Sequence, residues 1–124
     1  MKRLDSDLVD VFEAMARGSL EGVEVRWSDE AALCLVLASK GYPGSFAKGL
    51  AIDGLAAASR VEGVTVFHAG TASSGEGGVV TAGGRVLGVT ARARSLAEAR
   101  ARAYEAAGLI RYEGKTFRTD IGTR

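Results

Sequence analysis

Glycine decides what the middle of this chain can become. Twelve of its seventeen glycines fall between positions 41 and 88. Each glycine costs a helix about 1 kcal/mol relative to alanine and marks a turn or loop instead. The centre must therefore be built from short strands and structured loops, and the principal helices must come from the two ends.

Both ends carry helix signals. Ser6 followed by Asp7 has the form of a start, with a hydroxyl to accept an unpaired N–H and a carboxylate for the positive end of the dipole. Leu8, Phe12 and Met15 then recur at i, i+4 and i+7 as one apolar stripe, and Gly18 offers a left-handed stop. Near the other end Ser95 and Glu98 form a capping box. The helix that follows is alanine-rich, with Leu96, Ala99, Ala103 and Ala107 on one face and Gly108 at its end. Small side chains on that face suit close packing against a sheet.

Between the ends the pattern changes to strands. Residues 23–27 alternate, with Val23, Val25 and Trp27 on one side and Glu24 and Arg26 on the other, which predicts a strand with one wet face. Residues 31–38 form an unbroken apolar run, which predicts a strand covered on both faces. Cys34 lies inside it and is expected to be a small buried thiol; as the only cysteine it can form no internal disulfide. The segment 40–54 reads as a structured loop and 55–59 as a short helical turn. Strands are predicted at 64–67, 79–81 and 85–91, with glycine-rich connections at 73–78 and 83–84, the second suited to a tight hairpin. The tail 111–124 adds a final strand. The order α-β-β-β-β-β-α-β predicts a single α+β domain over 1–124, a mainly antiparallel sheet with two principal helices packed against it.

Composition narrows the function. Apolar residues at 47% provide enough material for a folded core, and aromatics at 6% leave that core to Val, Leu, Ile and Ala. Sixteen basic against 15 acidic residues give a net charge of +1, so nothing global draws the chain to nucleic acid or an anionic membrane. No run is apolar and long enough to cross a bilayer, and Met1-Lys2-Arg3-Leu4-Asp5 is too charged for a signal peptide, so the expected location is cytoplasmic. One histidine and no cysteine pair argue against a zinc-type metal site. Neither a Gly-x-Ser-x-Gly elbow nor a Walker loop is present. No catalytic residue and no metal ligand is expected in the chain.

An anion site is the remaining chemistry. If the strand ending Phe67-His68-Ala69-Gly70-Thr71 pairs with the one beginning Gly83-Gly84-Arg85, then His68, Thr71 and the glycine backbone converge near Arg85. Exposed N–H groups, a hydroxyl and a forked guanidinium suit a phosphate, and glycine permits the close approach. The alternative is that Gly83-Gly84 is only a hairpin turn and Arg85 a solvated strand end. Gly41-Tyr42-Pro43-Gly44 is equally open to two readings, a plain turn or a rigid lip on a pocket.

Five segments resemble one family in the same order: residues 4–8, Ala38-Ser39-Lys40-Gly41-Tyr42-Pro43-Gly44, Phe67-His68-Ala69-Gly70-Thr71, Gly83-Gly84-Arg85-Val86-Leu87-Gly88-Val89-Thr90, and Asp120-Ile121-Gly122. Together they are similar to the C-terminal domain of phosphoribosylamine–glycine ligases, in the ATP-grasp superfamily. The resemblance implies a domain of the ATP-grasp C-terminal type. The enzyme it implies serves de novo purine synthesis, joining glycine to 5-phosphoribosylamine through glycyl phosphate with ATP and magnesium. It places the nucleotide cleft and the magnesium ligands in an upstream ATP-grasp portion, ahead of the point matching Met1 and absent from this chain. The implied consequence is that the chain binds no cofactor by itself and is inactive alone. Its implied partners are phosphoribosylamine or glycinamide ribonucleotide and the missing N-terminal and ATP-grasp domains. The same resemblance assigns Arg85 to the 5'-phosphate, supported by Gly83 and Gly84, with His68, Gly70 and Thr71 facing the pocket and Tyr42, Pro43 and Gly44 bordering it. Ala82 stands where the family usually has Asn, Lys40 where it has Gly, and Thr123 where His or Trp is common. The readings that compete with a ligase domain are a stand-alone module for a phosphorylated small molecule and a structural interaction domain.

Overall fold

Alternation in the first strand sets the architecture. The computed structural model describes residues 2–75 and 77–123. In β1 (Ala31–Ser39) the side chains of Leu33, Leu35 and Leu37 are buried, whereas Cys34 is exposed and Val36 is 43% exposed. This strand is covered on one face, not two, and the expected burial of Cys34 is wrong. An unbroken apolar run does not say which neighbours cover it; alternate residues point to opposite faces whatever their polarity.

The principal sheet is antiparallel, with strand order β2 (Val64–His68), β5 (Arg85–Ala93), β1 and β6 (Lys115–Thr116). The β1–β5 register runs from Ala31 opposite Ala93 to Leu37 opposite Leu87, and β2 lies on the far side of β5 from Val64–Ala91 to His68–Leu87. One face of this sheet is covered by α3 (Leu96–Leu109), whose Ala99, Ala103, Ala106 and Ala107 are fully buried against Leu35, Leu37, Leu87 and Val89. Alanines let the helix sit close, and each large aliphatic side chain buried there contributes about 2 kcal/mol. The Ser95 hydroxyl accepts the Glu98 N–H at 3.2 Å, as the capping box requires. Leu96 falls outside the buried face at 40% exposed, and the helix continues one residue past Gly108.

The N-terminal region differs from expectation. The cap of α1 (Leu8–Ala16) is Asp7, whose carboxylate accepts the Val9 N–H at 2.8 Å. Ser6 instead reaches the segment 23–27, accepting from the Arg26 N–H at 2.7 Å and donating to the Glu24 carbonyl at 3.1 Å. That segment is not a strand. It shares only an isolated bridge, Leu4 to Trp27, and leaves Val25 and Trp27 exposed. The stripe on α1 turns outward, with Phe12 and Met15 more than half exposed, so α3 covers the sheet and α1 does not.

The short helix α2 (Leu55–Ala58) forms where a helical turn is predicted. A small second sheet pairs β3 (Thr71–Ser73) with β4 (Val79–Thr81). The sequence pattern gave no sign of β3. Nor do β4 and β5 form a hairpin: Gly83-Gly84 carries the chain from the small sheet to the large one.

Candidate functional site

At the end of β2 the chain folds back over the start of β5. The Ala69 N–H donates to the Val86 carbonyl at 3.0 Å and the Gly70 N–H to the Arg85 carbonyl at 2.8 Å. The Gly70 carbonyl in turn accepts from the Ala82 N–H at 2.8 Å and the Gly83 N–H at 3.1 Å. A Cβ on Gly70 would lie 2.6 Å from the Arg85 carbonyl oxygen and from the Gly83 Cα, so only glycine fits this crossing. On the β1 side, Ser39 holds the same connection. Its N–H donates to the Gly84 carbonyl at 2.8 Å and its hydroxyl to the Gly83 carbonyl at 3.1 Å. The Tyr42 ring lies against Gly84, where any side chain would collide with ring carbons.

A bulge aims the charged residue. Leu37 faces Leu87, but the next residue, Ala38, faces Arg85, so Val86 is the extra residue. Bulges commonly re-aim a side chain beside a site. Here Arg85 joins Val36, Tyr42, Gly70, Gly84 and Gly88 in lining a concavity of about 640 Å³ on the uncovered face of the sheet. That volume is within the ordinary range for small-molecule sites. Among the described residues the Arg85 guanidinium makes no ion pair or hydrogen bond, and no carboxylate lines the concavity. The Gly84 N–H likewise has no acceptor among the described residues.

The sequence-predicted residues divide accordingly. Arg85, Gly84, Gly70 and Tyr42 are together on one wall. Gly83 sits behind Gly70 with its N–H already donated. His68 and Thr71 join each other, Nδ1 to Oγ1 at 3.0 Å, outside the lining. Pro43 and Gly44 are exposed beyond Tyr42 and do not line it. Val36 and Gly88 were missed; the one available signal was a glycine interrupting the β-branched run of β5. Asp120-Ile121-Gly122 belongs to a different task. Arg100 donates to the Ile121 carbonyl at 3.0 Å and Tyr104 to the Arg118 carbonyl at 2.8 Å, fastening the tail to α3. Hydrogen bonding from Arg118 holds the Asp120 carboxyl below the usual range.

Residues 32–124 match the family described as "Phosphoribosylglycinamide synthetase, C domain". The chain belongs to that family. A chloroplastic phosphoribosylamine–glycine ligase of Arabidopsis thaliana is 54% identical over 100% of this chain and 24% of its own length. The phosphoribosylamine–glycine ligase of Rhizobium meliloti is 49% identical over 100% of this chain and 29% of its own. The crystal structure of the phosphoribosylamine–glycine ligase from Thermotoga maritima superposes with a TM-score of 0.72 at 38% identity, covering 91% of this chain and 27% of that one. The C domain thus spans less than a third of the length of these relatives, and its α+β fold with an antiparallel sheet is consistent with the Thermotoga maritima structure.

Proposed function

We propose that this C domain forms the phosphate-holding wall of the substrate pocket in a phosphoribosylamine–glycine ligase, an ATP-dependent C–N bond-forming enzyme of purine synthesis. The observation that carries the reading is a guanidinium, Arg85, and a backbone N–H, Gly84, both without a partner among the described residues, at one concavity that no described carboxylate lines. Arg85 would take the 5'-phosphate by a forked, charge-assisted pair of hydrogen bonds, with the Gly84 amide as third donor. Gly70 and Tyr42 shape the wall. The contribution to catalysis is positioning: a phosphate held here fixes where the sugar's amine stands relative to activated glycine.

Magnesium does not fit this wall. Magnesium takes oxygen ligands, chiefly carboxylates and phosphates, and the described residues lining the concavity are one cation, three glycines, a tyrosine and aliphatic side chains. Magnesium is therefore assigned to the remaining domains of the ligase, and the nucleotide it accompanies is assigned there with it. The outward stripe of α1, with Phe12 and Met15, is assigned to contact with those domains. No helix among the described residues is long and apolar enough to cross a membrane, and the cytoplasm is the proposed location.

Titration of the chain with ribose 5-phosphate, followed by NMR shifts of the Gly84 and Arg85 amides, tests the reading. Replacing Arg85 with Ala is expected to weaken binding at least tenfold, about 1.5–3 kcal/mol for a hydrogen-bonded charge. Unchanged affinity in Arg85→Ala would remove the basis for a phosphate wall.

A further inference from the structure

Gly88 has no reason to be glycine within this chain. It sits inside β5, the central strand beside β1 and β2, where β-branched residues are favoured and glycine weakens the strand. Its φ is outside the left-handed region, so no turn requires it. Nor does crowding: an added Cβ would meet Cys34 Sγ at 3.4 Å and Phe67 Cβ at 3.9 Å, ordinary packing distances. A Cβ is accommodated by the fold, and a β-branched residue is what a central strand favours. What it would remove is space on the uncovered face.

That space has a definite shape. Val36 and Phe67 lie in the same cross-strand row as Gly88, one on each neighbouring strand, and are 43% and 47% exposed. They wall a slot one side chain wide whose floor is the Gly88 backbone. Val36 and Gly88 line the concavity that Arg85 lines, three residues away, or about 10 Å of strand before the bulge shortens it, whereas Phe67 bounds the row on its other side and lines the adjoining concavity with Cys34 and Thr90. A guanidinium at one end and an apolar slot leading from it suit a molecule with an anionic head and a compact body with apolar faces.

We infer that Gly88 is a specificity-determining position: the pentose ring of a phosphopentose lies in the slot between Val36 and Phe67, with its phosphate on Arg85. The inference rests on the phosphate assignment above and adds the body of the ligand to it. The ring's C–H faces meet the apolar walls, and any side chain at position 88 would occupy the ring's place.

The distinguishing signature is a substitution that leaves or improves stability while removing selectivity. Gly88→Ala and Gly88→Val are compared with the unsubstituted chain by thermal melting and by NMR titration with two probes, ribose 5-phosphate and inorganic phosphate. Melting is expected to hold or to rise by up to about 4 °C. Ribose 5-phosphate affinity should fall at least tenfold in Gly88→Val and less in Gly88→Ala, while inorganic phosphate binds all three within about twofold. Ribose 5-phosphate affinity unchanged in Gly88→Val overturns the inference and leaves Arg85 in place. So does an unsubstituted chain that prefers ribose 5-phosphate no more than inorganic phosphate. A Gly88→Val chain melting well below the original shows that the fold itself needs the glycine, which also overturns it. Failure of the unsubstituted chain to bind either probe, or retained phosphate binding in Arg85→Ala, sinks the phosphate wall itself.

Discussion

Replacing Gly70 with Ala tests the crossing on which the site is built. The new methyl would stand 2.6 Å from the Arg85 carbonyl oxygen and from Gly83 Cα, and 2.8 Å from Gly83 N. Carbon atoms pack comfortably from about 3.5 Å, so the backbones must part by roughly 1 Å. Three hydrogen bonds meet at this residue: its own N–H to Arg85, and those its carbonyl accepts from Ala82 and Gly83. At about 1 kcal/mol each, losing all three costs ~3 kcal/mol, and a shift that keeps one of them costs ~2 kcal/mol. Against a total stability of roughly 5–15 kcal/mol this is a large fraction, equal to a fall in melting temperature of about 8–12 °C. Urea denaturation should show a lower midpoint with an unchanged slope. Hydrogen exchange should accelerate at the Ala82 and Gly83 amides, and ribose 5-phosphate binding should weaken as Arg85 moves. A variant melting within about 1 °C of the original, with those amides still protected, would refute the close crossing.

Two further substitutions test other parts of the account. Gly108 lies inside α3 with open space around its Cβ position, so Gly108→Ala should stabilise the chain by up to about 1 kcal/mol, read as a melting temperature higher by about 4 °C. Tyr112 is buried, its hydroxyl donates to the Ala38 carbonyl at 3.1 Å, and burial pushes its pKa up to about 12. The unfolded chain loses this proton near 10 and the folded chain near 12, so stability present below pH 10 is lost progressively between those values, by about 3 kcal/mol in all. Urea midpoints at pH 9 and pH 11 should therefore diverge in the original chain and much less in Tyr112→Phe.

The elements that were legible are those whose cause is local. Ser95 caps its helix because its hydroxyl is three residues from the N–H it accepts. Residues 64–68 form a strand because β-branched and aromatic side chains fit one, and the loop 40–54 follows from its glycines and proline. Arg85, Gly84, Gly70 and Tyr42, which the structure brings together around one concavity, were singled out by the resemblance of their segments to one family; their letters alone left plain turns equally open.

Tertiary structure decided everything that depends on which group answers another across the chain. Ser6 could cap a helix or bind Arg26, and the fold chose the second because Asp7 already serves the helix. Residues 23–27 alternate like a strand, yet they join no sheet and make one isolated bridge, Trp27 to Leu4. Cys34 lies in a run that looks doubly covered, but among the described residues α3 covers the opposite face of the sheet and leaves this one open. The convergence of Arg85 on Gly70 needed a bulge at Val86 and pairing between β2 and β5. Side-chain chemistry is written residue by residue and so can be read from sequence, whereas the face a strand presents is set by hydrogen bonds to partners far along the chain.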